Sequence, residues 1–244
     1  KRRVYAAMVD VMDRGIGEVI SALERNGLRN NTLIFFLSDN GGPQASKQKP
    51  GKWNGSSNAP FRGGKGDLYD GGVHVPFIAS WPAKIPAGTT FDAPVISIDI
   101  SRTAVAVAGG SPGGKNAMEG VNLIPYVTGE KAGAPHNALY WRSGPKWSVL
   151  AADGTKQVHD ADSKSPKLFF LPDDVTESNN LIASQPERAS ELRDQWESWN
   201  EQSIPCRLMG YIDYHKQRDR FFETAVPAQA KESGYAPKAK SNFK

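Results

Sequence analysis

The stretch TLIFFLSDNGG, residues 32–42, decides the fold class of this 244-residue chain. Its first six residues form an apolar run rich in β-formers, which is typical of a buried strand in a parallel or mixed sheet. A second run of this kind covers residues 75–81, and a shorter one covers 95–98. Residues 4–25 repeat apolar side chains at the spacing of a helix with one buried face, and 100–108 predict a short helix closed by two glycines. This order predicts an α/β fold in which helices flank a mixed sheet.

The pattern of the sequence changes after Pro135. Pro186 opens a last helix at the first-turn position that proline favours. Residues 205–244 mix Ala, Pro, Lys and aromatic residues without periodicity, which predicts an extended or flexible arm. We therefore divide the chain into an α/β part at 1–135, a sheet-and-helix part at 136–204 and this arm. Short apolar segments separated by turn residues predict a small antiparallel sheet in the middle part, with strands at 138–142, 147–151, 156–159 and 168–171.

Charge and composition exclude several classes of protein. Thirty Lys and Arg against 26 Asp and Glu give a net charge of +4, of which the seven bases and four acids of residues 211–244 carry +3. The rest of the chain is nearly neutral and offers no basic groove for a nucleic acid. No apolar run reaches the length of a membrane span, and the single cysteine, Cys206, excludes an internal disulfide framework. We expect neither a nucleic-acid partner nor a membrane span.

The strand-end segment, residues 38–42, is the first candidate site. Ligands of open α/β sheets gather at the carboxyl ends of strands. Asp39 and Asn40 offer a carboxylate and an amide oxygen there, which are ligands that Ca²⁺ and Mg²⁺ prefer. The alternative is an ordinary turn, because Asp-Asn-Gly is common turn chemistry. On this segment alone the turn is the better explanation.

The lysine segment, residues 62–66 (RGGKG), is the second candidate. Glycines around Lys65 bring backbone amides and an ammonium group close to an anion. The spacing is not that of a nucleotide-binding P-loop, and taken alone a solvated glycine turn explains the segment better. Taken together, the two segments favour a binding site over two ordinary turns. Oxygen ligands and an anion-seeking lysine, one strand apart in an α/β chain, favour metal-assisted attack on a phosphate or sulfate ester.

A set of motifs in one fixed order carries a resemblance to a known family. They are YAAMV at 5–9, SDNGG at 38–42, NAPFRGGKG at 58–66, LYDGGVHVP at 68–76, WP at 81–82, LFFLPDD at 168–174 and Asn180-Leu181. Over roughly residues 5–200 the chain closely resembles the C-terminal half of the formylglycine-dependent sulfatases, which have an alkaline-phosphatase-like fold. The resemblance implies that residues 1–135 are the C-terminal part of a sulfatase catalytic domain.

The resemblance implies roles for the residues that match the motifs. Asp39 and Asn40 match the Asp and Asn that bind the active-site calcium, and Lys65 matches the lysine that holds the substrate sulfate. In the family, hydrated formylglycine attacks sulfur, the alcohol departs with help from a histidine, and the hemiacetal collapses to release sulfate. The resemblance therefore implies a sulfuric ester hydrolase with Ca²⁺, or Mg²⁺, as cofactor and a sulfated substrate. It also implies export to the periplasm or the medium.

We expect the formylglycine nucleophile, made from a Cys or Ser in an x-Pro-x-Arg context, to lie outside this chain. Cys206 is followed by Arg207-Leu208-Met209 and does not qualify. The family's other metal aspartates, and the Lys and His residues near its nucleophile, also belong to the N-terminal half. We therefore expect the chain to be inactive alone and to need the N-terminal half of the same protein as its partner.

Three more side chains are weaker candidates for contacting the substrate. His74 could bind the sugar or a second sulfate, Arg62 could reach the sulfate, and Trp53 could stack on a sugar ring. The alternatives are a structural histidine, an arginine paired with a carboxylate and a tryptophan packed on its own domain. Four side chains where the small sheet begins are candidates to overhang the pocket: His136, Trp141, Arg142 and Lys146.

The aromatic and basic loops favour a sulfated carbohydrate as substrate, and hence a role in polysaccharide degradation. The family also acts on sulfated steroids, aryl sulfates and choline sulfate. Two other functions stay open on the sequence. One is a phosphodiesterase or phosphonate hydrolase of the same superfamily, which relative rates on sulfate and phosphate esters would distinguish. The other is a non-catalytic glycan-binding relative, which the absence of a nucleophile in the whole protein would favour.

Overall fold

The computed structural model describes residues 1–44, 53–111, 113, 118–160, 163–203, 220 and 223–224. The chain divides into a compact unit at Lys1–Gln202 and a second unit at Ser203–Lys244. Apart from residues 220, 223 and 224, the predicted arm at 205–244 lies outside the described residues. Its extended or flexible character stays a prediction, as does the domain boundary at residue 135.

A long amphipathic helix, α1 (Arg2–Arg25), forms where the apolar spacing predicts it. It ends before Gly27, whose left-handed φ of 67° closes the last turn. The prediction of a buried face is wrong for the described chain, since no residue of α1 is buried and Met8 is 66% exposed. The helix contacts the adjacent 3₁₀ turn at Arg29–Asn31. A single turn is too short to cover an apolar stripe along a helix of this length.

Two short strands, β1 (Ile34–Leu37) and β2 (Phe77–Ser80), pair antiparallel. β1 leads directly into the strand-end segment 38–42. Both strands are half-buried, whereas their apolar runs predict buried strands, and Ile78 is 56% exposed. The reason is that, among the described residues, the two strands pair only with each other.

The α/β part also contains three shorter helices, which are α2 (Asp70–Val73), α3 (Ile98–Val107) and α4 (Ile124–Val127). The predicted strand at residues 95–98 is wrong, because α3 already begins at Ile98. The Asp99 carboxylate accepts the Ile96 N–H at 2.9 Å, and this hydrogen bond closes the turn that starts the helix. Within the described ranges, none of the helices combines the length and the apolar content that spanning a bilayer takes.

The small sheet has the predicted antiparallel arrangement and a core of its own. The last helix, α5 (Pro186–Glu201), packs on the second and third strands of the sheet. Between them lie Val149, Leu168 and Leu192, which are all fully buried. The four strands are neighbours in sequence order: β3 (Ala138–Ser143), β4 (Lys146–Ala151), β5 (Thr155–His159) and β6 (Lys167–Phe170).

The opposite face of the small sheet packs on the α/β part. Val158 and Phe169 of the sheet are almost fully buried against Leu68 and Tyr69. These two partners follow directly after the lysine segment 62–66. The apolar contact therefore places the small sheet behind the loop that carries Lys65.

Candidate active site

The strand-end segment forms a turn that leaves its metal-ligand candidates available. Ser38 Oγ donates to the Asn40 carbonyl at 2.9 Å, and Asn40 Nδ2 donates to the Gly41 carbonyl at 3.0 Å. The Asp39 side chain is exposed. Neither the Asp39 carboxylate nor the Asn40 Oδ1 has a hydrogen-bond partner among the described residues. An ordinary turn therefore does not exclude a metal-ligand pair here. The hydrogen bonds that close the turn use neither the Asp39 carboxylate nor Asn40 Oδ1.

The lysine segment lies directly against this turn. The Lys65 N–H donates to the Gly42 carbonyl at 3.1 Å, and the Gly41 N–H donates to the Gly72 carbonyl at 3.0 Å. Asn58 fixes the junction, since its Nδ2 donates to the carbonyls of Gly42, at 2.8 Å, and Gly63, at 3.1 Å. The structure therefore brings the backbone of Lys65 beside the Asp39–Asn40 turn while its side chain stays exposed.

Glycine is required where the two segments meet, because their backbones approach more closely than a side chain allows. A Cβ on Gly64 would lie 2.6 Å from the Gly42 carbonyl oxygen, and one on Gly41 would collide with the Gly71 carbonyl oxygen. Glycine has no Cβ and permits this approach. The paired glycines of the two motifs thus serve the contact between the loops.

The weaker candidates lie around the same loop and stay predictions as substrate contacts. Arg62 Nη1 donates to the Glu177 carbonyl at 2.7 Å, and the guanidinium group of Arg62 lies 4.2 Å from the centre of the Tyr69 ring. The side chain of His74 is 59% exposed, and its Nδ1 lies 3.0 Å from Oδ2 of Asp70. These contacts hold the guanidinium group of Arg62 and the Nδ1 atom of His74 in place.

Two residues at the start of the small sheet have different positions relative to the loop. Lys146 Nζ donates to the Gly66 carbonyl at 3.0 Å, which places a second ammonium group next to Lys65 along the loop. His136 instead binds the buried Asp99 carboxylate at 2.9 Å. Of these two predicted overhanging residues, the structure thus places Lys146 at the lysine segment and gives His136 a structural partner.

A cleft of about 370 Å³ opens beside the strand-end turn. Trp53 contributes to its wall and is oriented by the bond from its Nε1 to the Ser56 carbonyl at 2.7 Å. Ser56 is only 8% exposed, and its Oγ has no hydrogen-bond partner among the described residues. The lining combines two aromatic rings with polar side chains: Pro43, Gln44, Trp53, Ser56, Ser57, Asn58, Ala59, Pro60 and Phe61.

Sequence reasoning missed a buried ionic cluster under the lysine segment. Lys156 of β5 is fully buried, with Nζ 2.5 Å from Oδ1 of Asp70 and 3.0 Å from Oε1 of Glu177. Burial raises the pKa of Asp70, but the hydrogen bond with His74 and the charge of Lys156 outweigh it and hold that pKa below its usual value. Burial raises the pKa of Glu177, and the charge of Lys156 offsets only part of this effect. The sequence gives no sign that this lysine is buried, because it lies in a short polar strand.

The donor chemistry of the strand-end turn fits a hard cation, but the set is incomplete. Asp39 and Asn40 supply two oxygen ligands, whereas Ca²⁺ takes about six to eight. Within the part of the chain that the structure describes, no three His, Cys, Asp or Glu side chains are grouped to hold a metal. The donor chemistry of Asp39 and Asn40 therefore fits a calcium or magnesium ion, but such an ion would need further ligands beyond these two.

One Ser-x-Pro-x-Arg pentapeptide does lie within this chain, at residues 184–188, which corrects the expectation that the pattern occurs only outside it. Ser184 Oγ donates a hydrogen bond to the Leu181 carbonyl at 3.1 Å, and Pro186 is the first residue of α5. Arg188 forms an ion pair with Asp153 at 2.7 Å. These contacts belong to a helix start on the small sheet and account for the pentapeptide structurally.

Comparison with known proteins identifies the family of this chain. The family model described as Sulfatase matches residues 1–110. Over 220 residues the chain is 35% identical to the steryl-sulfatase of Mus musculus, covering 78% of this chain and 35% of the relative. The chain belongs to the sulfatase family. A further relative of this sulfatase chain is the N-acetylgalactosamine-6-sulfatase of Canis lupus familiaris, at 33% identity over 129 residues, 53% of this chain and 24% of the relative.

Solved structures confirm the predicted fold class. The crystal structure of Ps i-CgsB in complex with k-i-k-neocarrahexaose matches with a TM-score of 0.76 at 28% identity, over 89% of this sulfatase chain and 47% of that protein. Its alkaline-phosphatase-like fold is the one that the sequence motifs imply. The sulfatase chain spans about a third of the length of the curated relatives and about half of that solved structure.

Proposed function

We propose that the protein containing this chain is a sulfuric ester hydrolase that releases sulfate from a sulfated carbohydrate. The observation that carries the proposal is the hydrogen bond from the Lys65 N–H to the Gly42 carbonyl, at 3.1 Å. It holds the backbone of Lys65, whose side chain is exposed, against the turn that carries two hard-oxygen ligands, Asp39 and Asn40. A sulfate ester needs this combination, because negative charge grows on its oxygens as the ester bond breaks.

The residues of this chain have separate tasks in the proposed reaction. Lys65 binds the non-bridging oxygens of the sulfate. Asp39 and Asn40 hold Ca²⁺, or Mg²⁺, which supplies Lewis-acid neutralisation of the transferring group. A formylglycine nucleophile and the remaining metal ligands come from outside this chain, in the N-terminal half of the same protein. The apolar face of α1 is a suitable contact for that half.

The cleft beside the turn supports a carbohydrate as the alcohol part of the substrate. Sugar rings bind between aromatic faces and a few well-placed polar groups, and the cleft has Trp53 and Phe61 beside Gln44 and Asn58. The solved relative Ps i-CgsB was crystallised in complex with k-i-k-neocarrahexaose. From the family resemblance, we also propose that the protein is exported to the periplasm or the medium.

The test combines sulfate release with mass mapping of the full-length protein. Release of sulfate from sulfated oligosaccharides, together with a peptide in which Cys or Ser of an x-Pro-x-Arg pattern has the mass of the aldehyde, is the expected result. A matching aldehyde on Ser184 would place the nucleophile in this chain and contradict the proposal's division of the site. Oligosaccharide binding without release, and without any aldehyde, would instead establish a glycan-binding protein.

A further inference from the structure

The ionic cluster of Lys156, Asp70 and Glu177 has no role in the function proposed above. All three side chains are almost fully buried, with exposed fractions of 0%, 7% and 0%. Removing three charged groups from water is unfavourable, and apolar residues of similar volume often stabilise such a site equally well. Stability alone is therefore a weak explanation for the cluster.

The contacts of the cluster converge on the segment that carries Lys65. The Asp70 N–H donates to Oε2 of Glu177 at 2.8 Å, and Oδ2 of Asp70 binds Nδ1 of His74 at 3.0 Å. At the other end, Arg62 donates to the Glu177 carbonyl at 2.7 Å. The two ends of residues 62–74 are thus attached to residues of the same cluster, Arg62 to the Glu177 backbone and His74 to the Asp70 carboxylate, and Lys65 lies between them.

The backbone of Glu177 is strained in a way that fits this task. Its φ is +50°, a left-handed conformation that residues other than glycine rarely adopt. Such strain persists where surrounding contacts determine the backbone, and it clusters at functional sites. Here the Arg62 guanidinium holds the carbonyl of Glu177, while the Asp70 N–H and Lys156 hold its carboxylate.

We propose that Lys156 is a positioning residue, which fixes residues 62–74 against the small sheet through Asp70 and Glu177 and so sets the place of Lys65 beside Asp39. This inference rests on the proposed function for its effect on turnover, but the fixing of the segment can be measured without it. His74 is oriented by the same cluster, because Asp70 occupies its Nδ1 and leaves Nε2 as the outward ring nitrogen. Lys65 and His74 are therefore placed by a buried ionic cluster that joins the α/β part to the small sheet.

The experiment compares full-length wild-type protein with two variants of the cluster. One is Lys156→Met. The other adds Asp70→Asn and Glu177→Gln, so that no uncompensated charge stays buried if the single variant fails to fold. The control is Arg188→Met, which removes ion pairs with Asp153 and Glu191 that do not involve the cluster. Amide hydrogen exchange is read at Lys65 and Gly71, whose N–H groups bond to Gly42 and Arg62, and at the β3–β4 ladder.

We expect exchange at Lys65 and Gly71 to accelerate by about tenfold or more in the triple variant, with the β3–β4 ladder unchanged. We also expect kcat/KM for a sulfate ester to fall by about 10²-fold, since a small misplacement of a positioned group has effects of that size. Arg188→Met should change neither quantity. A folded triple variant with wild-type exchange at Lys65, or with uniformly faster exchange over the whole sheet, would overturn the proposal. A wild-type protein without sulfatase activity would instead overturn the proposed function, and the exchange comparison would still decide the positioning role.

Discussion

The candidate active site and the core of the small sheet are built in opposite ways. At the site, the side chains of Asp39 and Lys65 are exposed, and hydrogen bonds between glycine-rich backbones hold them in place. In the small sheet, Val149, Leu168 and Leu192 are fully buried and have no polar groups to offer a substrate. The difference shows that chemistry and packing are assigned to different residues. Substitutions should therefore separate activity from stability.

Lys65→Ala is expected to have the largest effect. The full-length protein should lose about 10²- to 10³-fold in kcat/KM for a sulfate ester, because a preorganised charge at the transferring group is removed. The melting temperature should stay at the wild-type value, since an exposed ammonium group contributes little packing. Lys84→Ala, at another exposed loop lysine, is the matched control and should keep full activity. Near-normal turnover of Lys65→Ala would refute its assignment.

Leu192→Ala should give the converse result. Truncating a fully buried leucine between α5 and the small sheet should lower the free energy of unfolding by about 3 kcal/mol. Urea denaturation monitored by tryptophan fluorescence measures this difference. At a temperature where the variant is folded, its kcat/KM should match the wild type. A folded Leu192→Ala protein with strongly reduced turnover would show that packing and chemistry are not separate.

Asp39→Ala should reduce calcium affinity and activity together, each by about tenfold or more, because one charged oxygen ligand is lost. Calorimetric titration with calcium measures the affinity, and assays at varied calcium concentration measure the activity. Asp92→Ala removes an exposed carboxylate elsewhere in the α/β part and serves as the control. Calcium dependence that is identical in wild type and Asp39→Ala would show that the ligand has been misassigned.

Asp174→Ala tests the small-sheet part through pH and should have the smallest effect. Burial raises the pKa of Asp174, but hydrogen bonds from the backbone N–H groups of Asn179 and Ser178 outweigh it and hold the pKa below its usual value. A lowered pKa in the folded state means that the carboxylate stabilises the fold near neutral pH and loses this effect as the pH falls through that pKa. The variant should be about 0.5 kcal/mol less stable at neutral pH, because water screens the charge of this partly exposed carboxylate.

Urea unfolding at about pH 7 and at about pH 3 checks this prediction, and the difference between variant and wild type should shrink at the lower pH. Asp173→Ala, at the neighbouring exposed carboxylate, is the control and should show no such pH-dependent difference. A stability difference for Asp174→Ala that is the same at both pH values would mean that the charge of the carboxylate is not what stabilises this turn.

The sequence predicts the elements that depend on local pattern. The four strands of the small sheet and α5 follow from alternating apolar residues, turn residues and Pro186. The prediction of a strand at residues 95–98 is wrong, because tertiary contacts override the local preference of these residues for a strand. The Asp99 carboxylate that closes the turn there also accepts the N–H of Val121 and binds His136, and neither partner is near in sequence.

The same limit applies at the candidate site. The strand-end and lysine segments are recognisable because oxygen ligands and a glycine-flanked lysine, one strand apart, together indicate anion chemistry that neither segment indicates alone. The cluster beneath them is not recognisable. Lys156 and Asp70 are 86 residues apart in the chain, and a lysine in a strand is usually exposed. The spacing of α1 predicts a buried apolar face, yet no residue of α1 is buried within the described chain. Amphipathic spacing indicates that a helix has a partner but does not identify that partner.

The most direct test of the central claim is the relative rate of hydrolysis of a sulfate ester and a phosphate ester of one alcohol. It is measured with the full-length protein and with Lys65→Ala. If Lys65 and the Asp39–Asn40 turn form a sulfate site, the wild type hydrolyses the sulfate ester faster and the substitution removes most of that rate. Faster hydrolysis of the phosphate ester by the wild type, or a sulfate rate that Lys65→Ala leaves unchanged, would contradict the account.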